Sequence, residues 1–378
     1  MSLEIVPVER NRDLAAFIDV PWRLPDLVNS PQWVPPLRMM VRDVLDTKSN
    51  PFYAKAARAL FIARRDGVPV GRIAAIENRA HNEAHDDRVG FFGFFEARND
   101  TEVAGRLLAT ASGWLKGRGF TAMRGPVSPS TNHECGLLVD GFEQPHMFLT
   151  PWNPPFYESL VLEAGLAPIK ELLGYWFPVA EPSFRVPPRF SKLAERAKSR
   201  SNLTFRDMRS DRYWDDVEIC WDLYNDAFAK NWGFVPMSRD EFMRMAKDMK
   251  LLLVPQFAFV AEIHGAPAGF MLSVPDANVL FRKIRTGRLF PFGLFHILAG
   301  KSRLRTFRVM ALGIKEKFRN GVILPLLIHE AARRGIAFGA MGAELSWVLE
   351  DNQAIRQPIE SVGGRIYRRW RIFEQPIQ

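Results

Sequence analysis

Apolar residues along this chain fall into short alternating runs, separated by longer stretches with a helical period. In the second half, Tyr213, Val217, Cys220, Tyr224 and Ala227 step by four and three, which places them on one helix face. Ser238, with Glu241 three residues on, forms the reciprocal cap that opens a second helix. Runs at 257–262 and 268–274 are predicted strands that meet at His264-Gly265, a hairpin signal. Further strands are predicted over 203–208, 306–313, 344–349 and 365–373, with helices over 322–334 and 352–362. Pro325 fits the first turn of its helix, where amides have no intrahelical partner, and Gly363-Gly364 closes the other.

The first half gives a similar order. Strands are predicted over 59–63 and 70–77 around Asp66-Gly67, then over 89–95, 120–127 and 168–179. Asn99 with Glu102 caps a helix whose inward stripe is Val103, Leu107, Ala111 and Trp114. A shorter helix over 157–164 stops at Gly165. The proline-rich stretch FPVAEPSFRVPPRF reads as a linker between the halves. The expectation is an α/β (α+β) chain of two tandem domains, 1–180 and 181–378, each a mixed, mostly antiparallel sheet flanked by helices.

Composition fits a soluble globular class: 47% of the 378 residues are apolar and 25% charged, which suits two domains of moderate size. The two cysteines, Cys135 and Cys220, exclude a disulfide framework. No run approaches the roughly 18 apolar residues of a membrane span, and the N-terminus has no secretory pattern, so a cytoplasmic protein is expected. Charge changes the picture more. The net charge is +9, and 281–308 alone holds eight basic residues and no acid, around the apolar centre 289–299. A general nucleic-acid binder would spread its cations over several elements, so no nucleic-acid partner is expected. The segment could be a lid over a lipid-like acyl chain, a contact with an anionic membrane surface, or a solvated amphipathic hairpin packed at the domain seam. Pro291 and Gly293 argue against one long helix there.

The order of elements, with a helix entered from a glycine turn and a later helix ending in Glu-x-x-Gly, resembles the GNAT acyltransferase superfamily. The stretches NPFYAKAARALFIARRDGVPVGRIAA, GFFGFFEARND, GPVSPSTNHECGLLVDGF and ELSWVLEDNQAIRQPIESVGGRIYRRWRIFE also resemble an uncharacterised bacterial family of tandem GNAT-like proteins. The resemblance covers most of the chain. It implies acetyl-CoA or another acyl-CoA as co-substrate and no metal. Pantetheine would lie along Leu312, Gly313 and Ile314, and phosphates at the turn Arg319, Asn320, Gly321 and Val322, with Asn352 near by on the next helix start. Two departures stand out. Phe318 and Ile323 replace an Arg/Gln and a small residue of the family's turn, and Ile359 replaces a Tyr that can protonate a leaving thiolate. By chain position Glu344 is the candidate acid or base; its alternative is a solvated strand-end residue. The corresponding first-half turn, 96–102, has no glycine and carries three acids besides one Arg, so no coenzyme A is expected there.

Two other constellations carry chemistry. The stretch 125–141 follows a strand and is dense in hydrogen-bonding groups. Ser130, Thr131, Asn132 and Glu134 are candidate substrate-binding residues, unless the loop merely satisfies its own backbone. A His133–Cys135 nucleophile pair lacks a third, orienting group. His81 and His85, four apart, suggest a metal pair, but the following Asp86-Asp87 favours a solvated hairpin. The leading expectation is an acyl-CoA-dependent N-acyltransferase with its cofactor in the second domain and a small or lipid-like acceptor at the seam. The alternative is a non-catalytic binding module of the same fold for an anionic metabolite, lipid or aminoacyl group.

Overall fold

The computed structural model describes residues 2–377 apart from 182–183, 185–186, 190–191, 194, 197–201 and 320–322. In chain order the strands are β1 (Leu3–Pro7), β2 (Ala56–Arg65), β3 (Val68–Asn78), β4 (Val89–Ala97), β5 (Ala122–Gly125), β6 (Val127–Ser128), β7 (Glu134–Cys135), β8 (Leu137–Asp140), β9 (Ala167–Phe177), β10 (Leu203–Asp207), β11 (Ala258–Ile263), β12 (Ala266–Pro275), β13 (Thr306–Ile314), β14 (Gly342–Leu349) and β15 (Arg365–Pro376). The principal helices are α1 (Thr101–Lys116), α2 (Tyr157–Glu163), α3 (Tyr213–Phe228), α4 (Arg239–Met249), α5 (Gly293–Gly300), α6 (Ile323–Phe338) and α7 (Gln353–Ser361). The chain divides into two compact units. Unit 1 is 1–172, 278–299 and 368–378; unit 2 is 173–277 and 300–367. The segment 278–299 therefore leaves the second half of the chain and belongs to unit 1.

In unit 1 the strand order is β1-β2-β3-β4-β5-β15, with β8 also on β15. All these pairs are antiparallel except β4 with β5. Val103, Leu107 and Ala111 of the expected α1 stripe are fully buried with Ile73, Phe92 and Met123 of the sheet; Leu115 completes it, and Trp114 is only partly buried at its edge. Asp100, one residue later than the sequence suggests, caps α1 by accepting the amides of Glu102 and Val103. One carboxylate oxygen, Oδ1, accepts from both donors. A second correction concerns His81. The segment Arg79–His85 is a short helix, not a hairpin, because Asn78 accepts the His81 amide and Asp86 adopts a left-handed conformation after the last turn.

The parallel pair β4/β5 runs only from Val89↔Ala122 to Phe91↔Arg124. Beyond it the strands part, and β6 fills the space. A Cβ on Gly93 would stand 1.6 Å from the Val127 carbonyl oxygen, so only glycine admits β6 there. Ser128 Oγ accepts the Phe94 amide (3.0 Å) and the Tyr157 hydroxyl accepts the Ala97 amide (3.0 Å). The parted strand is thus closed by its own unit.

In unit 2 the order is β10-β11-β12-β13-β14, with the end of β9 beside β14. Again one pair, β13/β14, is parallel and the rest of the β10–β14 ladder is antiparallel. One face packs α3 and α4 through Tyr213, Val217, Cys220, Leu223 and Phe242 onto Val260, Phe270 and Ala311. The other packs α6 and α7 through Leu326, Leu327 and Ile359 onto Met271, Val309, Leu312 and Leu345. The Ser238–Glu241 capping box opens α4 as the sequence indicates.

Two predictions follow from unit 1. Gly93→Ala is expected to destabilise the protein by at least about 2 kcal/mol, because backbone must move to admit the methyl group; urea unfolding would measure it. Burial also lowers the pKa of His81, His133 and His146 from 6.5 to about 4. The unfolded chain therefore binds more protons than the folded one between those values, and stability is lost as pH falls through that window. Calorimetric melting temperature is expected to drop between pH 7.5 and 5, above the range in which most carboxylates titrate. A flat profile would contradict this account of the three rings.

Candidate functional site

The site in unit 2 is built where β13 and β14 separate. Their pairing begins at Thr306↔Gly342 and ends at Val309↔Leu345, although β13 continues to Ile314 and β14 to Leu349. On its other edge β13 stays paired with β12, but with a shift: Ser273 faces Val309 and Leu272 faces Ala311, leaving Met310 as an extra residue. Such a bulge bends its strand and re-aims the side chains beyond it. Its effect is visible in the packing, since Val309 and Leu312, three apart rather than two, lie in the same core under α6 and α7. Among the described residues no side chain hydrogen-bonds the backbone of Met310–Ile314, whereas in unit 1 Ser128 and Tyr157 bond the parted strand.

Under the last paired residues of β13 and β14, between the sheet and α6, lies an apolar cavity of about 60 Å³. Val309, Leu312 and Leu345 line it on the sheet side, and Ala331, Ala332 and Gly335 on the α6 side. The wall is almost wholly apolar, with Ser273 its one hydroxyl among the described residues.

On the opposite sheet face sits a charged cluster. Strand alternation turns Glu344 away from Ala343 and Leu345, which line the cavity. Glu344 is 0% exposed, so the solvated strand-end alternative does not hold. Its Oε1 accepts from Ser346 Oγ (2.7 Å), and its other oxygen accepts from the Tyr367 hydroxyl. Arg308, opposite Glu344 in the register, donates Nε to Ser346 Oγ (3.0 Å), stands 3.6 Å from the carboxylate, and lies over the Trp347 ring at 4.7 Å. A buried carboxylate held this way has a cation and two hydroxyls to answer its charge. Tyr367 was not singled out in the sequence: it lies 23 residues from Glu344, and only the sheet brings the two together.

The turn after β13 is partly described. Leu312 lines the cavity and Ile314 lies in the same core. Gly313 has no room for a side chain, because a Cβ would meet the Phe270 ring at 2.6 Å and Ala227 at 2.8 Å. Arg319 turns its guanidinium to the last carbonyls of α3, Asp226 (3.2 Å) and Ala227 (2.7 Å). Lys315 pairs with Asp222 at 2.8 Å, while Lys317 is exposed. Asn320, Gly321 and Val322 lie outside the described residues. Asn352 caps α7 by accepting the Ile355 amide (3.3 Å), and Ile359 is fully buried.

The remaining sequence candidates belong to unit 1. Ser130 is buried and its Oγ bonds His133 Nδ1 at 2.9 Å and the Asn132 amide at 3.2 Å. Thr131 and Asn132 are half-buried, and Glu134 pairs with Ser128 in the β6/β7 ladder. Cys135 is buried in β7. Nearby, burial raises the Glu96 carboxyl although Arg72 and the Tyr157 hydroxyl oppose the shift. At the α1 start Arg65 bridges Asp100 (2.7 Å) and Glu102 (2.8 Å), so that helix N-terminus already faces carboxylates. His81 bonds Asp87 at 3.3 Å, and no metal-holding group of His, Cys, Asp or Glu occurs among the described residues.

No protein-family model matches the chain. A tandem GNAT protein from the clavulanic acid biosynthesis pathway superposes with a TM-score of 0.56 at 15% identity, over 100% of this chain and 99% of that one. A GCN5-related N-acetyltransferase from Sphaerobacter thermophilus gives 0.55 at 12% identity, over 100% and 96%. These likenesses establish the tandem GNAT fold. In sequence the chain is 32% identical to Protein YghO of Escherichia coli (strain K12), over 97% of this chain and 93% of that protein. It is 33% identical to a protein of Caulobacter vibrioides named bacterial ceramide synthase, over 100% of this chain and 98% of that protein. The chain belongs to the bacterial family of tandem GNAT-fold proteins that contains both of these relatives.

Proposed function

We propose that the protein is an acyl-CoA-dependent N-acyltransferase that joins a fatty acyl group to the amine of a lipid-like acceptor, with the thioester held in unit 2. The observation that carries this reading is the early end of the β13/β14 ladder beside an apolar cavity, lined by the last pair, Val309 and Leu345, and by Leu312 beyond it. A pantetheine arm is an extended chain with amide groups, and it can pair with strand backbone where a neighbouring strand has withdrawn. The cavity has room for roughly four water-sized spheres, enough for the first carbons of an acyl chain. The C. vibrioides relative is named for a product that is a fatty amide of a long-chain amino alcohol, which fits the same chemistry.

In this reading the amine nitrogen bonds to the thioester carbonyl carbon and the carbon–sulfur bond breaks. The nitrogen gives up a proton, and the sulfur leaves as thiolate and then takes one up. Held between Arg308, Ser346 and Tyr367 on the face away from the cavity, Glu344 is the candidate proton acceptor, with the half-buried Tyr367 hydroxyl as its route to the acceptor. Orientation and backbone donors around Leu312–Ile314 supply the remaining rate, since a thioester needs no protein nucleophile. The phosphates would rest at the turn after β13, where Lys317 is the exposed cation. Ser130, Thr131, Asn132 and Glu134 remain our candidates for acceptor contacts. One observation favours the binding-module reading: Arg319 serves the α3 carbonyls instead of pointing outward.

Calorimetry with acetyl-CoA and longer acyl-CoAs, together with thiol release in the presence of a long-chain amine, separates the two. Each methylene entering the cavity is expected to tighten binding by about 0.8 kcal/mol, roughly fourfold. Ala343→Leu should remove that gain for longer chains and leave acetyl-CoA unaffected. Binding without thiol release would select the module; no binding below millimolar would sink the thioester site altogether. Glu344→Gln is expected to lower turnover by about 100-fold or more while acyl-CoA affinity holds within about twofold. Equal turnover in a folded variant would remove Glu344 from the chemistry.

A further inference from the structure

The segment 278–299 presents a contrast between a fixed root and a bare tip. Its root is tied to unit 1 at several points. Asn278 Nδ2 donates to the His146 carbonyl (2.9 Å), Arg285 donates to the carbonyls of Trp33 (3.2 Å) and Val28 (2.8 Å), and Trp22 Nε1 donates back to the Arg285 carbonyl (2.8 Å). Arg38 lies over the Trp22 ring at 3.9 Å and its Nε donates to the Thr286 carbonyl at 2.7 Å.

The tip has no such cover. Phe290 is 67% exposed, Phe292 79%, Phe295 72% and Leu298 53%. These side chains lie on and just before α5, in which Gly293 alone is buried. Isolated exposed apolar residues are ordinary, but four large ones within nine residues form a patch that marks an interaction surface. Exposed Arg282, Lys283 and Arg288 precede the patch, and exposed Lys301 and Arg303 follow it in the chain. Arg282, Lys283 and Arg285 also line an open cleft of about 540 Å³ with Asn29 and Pro31. Residues 281–308 contain no acid.

A second copy of this chain would have to bring carboxylates to this tip, and the tip has none to offer in return for a self-complementary contact. A protein groove would satisfy the phenyl rings but not the flanking cations. A bilayer surface with anionic headgroups satisfies both, because apolar side chains enter the acyl boundary while Lys and Arg stay at phosphate level. We infer that the 288–299 tip docks on an anionic phospholipid membrane, with Phe292 and Phe295 inserted and the cleft of Arg282 and Lys283 against headgroup phosphates. Unlike a spanning segment, this contact is peripheral: among the described residues no helix is long and apolar enough to cross a membrane.

The test is co-sedimentation of the full chain, without acyl-CoA, with vesicles of phosphatidylcholine alone and with about 30 mol% phosphatidylglycerol added. Binding is expected to the anionic vesicles at low salt, to fall steeply as salt rises, and to be at least tenfold weaker on phosphatidylcholine. Phe292→Ser with Phe295→Ser should weaken it at least tenfold without changing the melting temperature, since both rings are exposed. Arg282→Gln with Lys283→Gln should flatten the salt dependence. Equal binding to both vesicles, none at low salt, or full binding by the double serine variant would overturn the proposal. So would concentration-dependent self-association, abolished by the serine variant, in a protein that ignores vesicles. Because no thioester is present, these outcomes are independent of whether unit 2 transfers acyl groups.

Discussion

A parallel pair of strands that stops early is the constraint on which the rest of unit 2 depends. Backbone amides and carbonyls seek partners wherever they are withdrawn from water. The ladder between β13 and β14 ends at Val309↔Leu345, and the Met310 bulge turns the remaining length of β13 away. Unit 1 meets the same constraint with the same pair, β4 and β5, and solves it internally: β6 lies against Gly93, and the Ser128 and Tyr157 hydroxyls take the amides. One frame thus appears twice, and in unit 1 an inserted strand, β6, together with the Ser128 and Tyr157 hydroxyls closes the parting.

Charge follows the same division. Asp100 and Glu102 stand at the start of α1, bridged by Arg65, so an anion is already built into the place a phosphate would take. The corresponding turn of unit 2 carries cations, but Lys315 and Arg319 are tied to α3, by a carboxylate and by helix-end carbonyls. Those ties hold the turn close to α3, an approach that Gly313 alone permits. Arg308 and Glu344 lie where the strands are still paired.

Signals that were local in the sequence were legible there. The Ser238–Glu241 box, the His264-Gly265 hairpin and the Val103, Leu107 and Ala111 positions of α1 all depend on neighbours within a few residues, and each appears as expected. The tandem GNAT order emerged from the succession of such signals and from the quoted stretches. Non-local features were not legible. Tyr367 meets Glu344 only through sheet geometry, and the sequence offered no reason to choose it. Membership of 278–299 in unit 1 rests on Arg285, Trp22 and Asn278 finding partners more than a hundred residues away. Asp100 displaced Asn99 as cap, and Asn78 made a helix of the histidine segment, because adjacent polar residues compete for the same amides and packing decides between them.

The place of the exposed tip in the chain ties it to the chemistry. It is the connection between β12 and β13, so only residues 300–305 separate it from the first residue of the strand that later parts from β14. A fatty acyl-CoA and a long-chain amine are both amphiphiles that concentrate at bilayer surfaces. For an enzyme that joins them, residence at that surface raises the local concentration of both substrates without any new contact in the site. The two proposals are independent in their evidence, one resting on strand register and the other on exposed phenyl rings and cations. Together they account for an acid-free apolar tip flanked by cations, whose exposure would otherwise carry only a liability to aggregate.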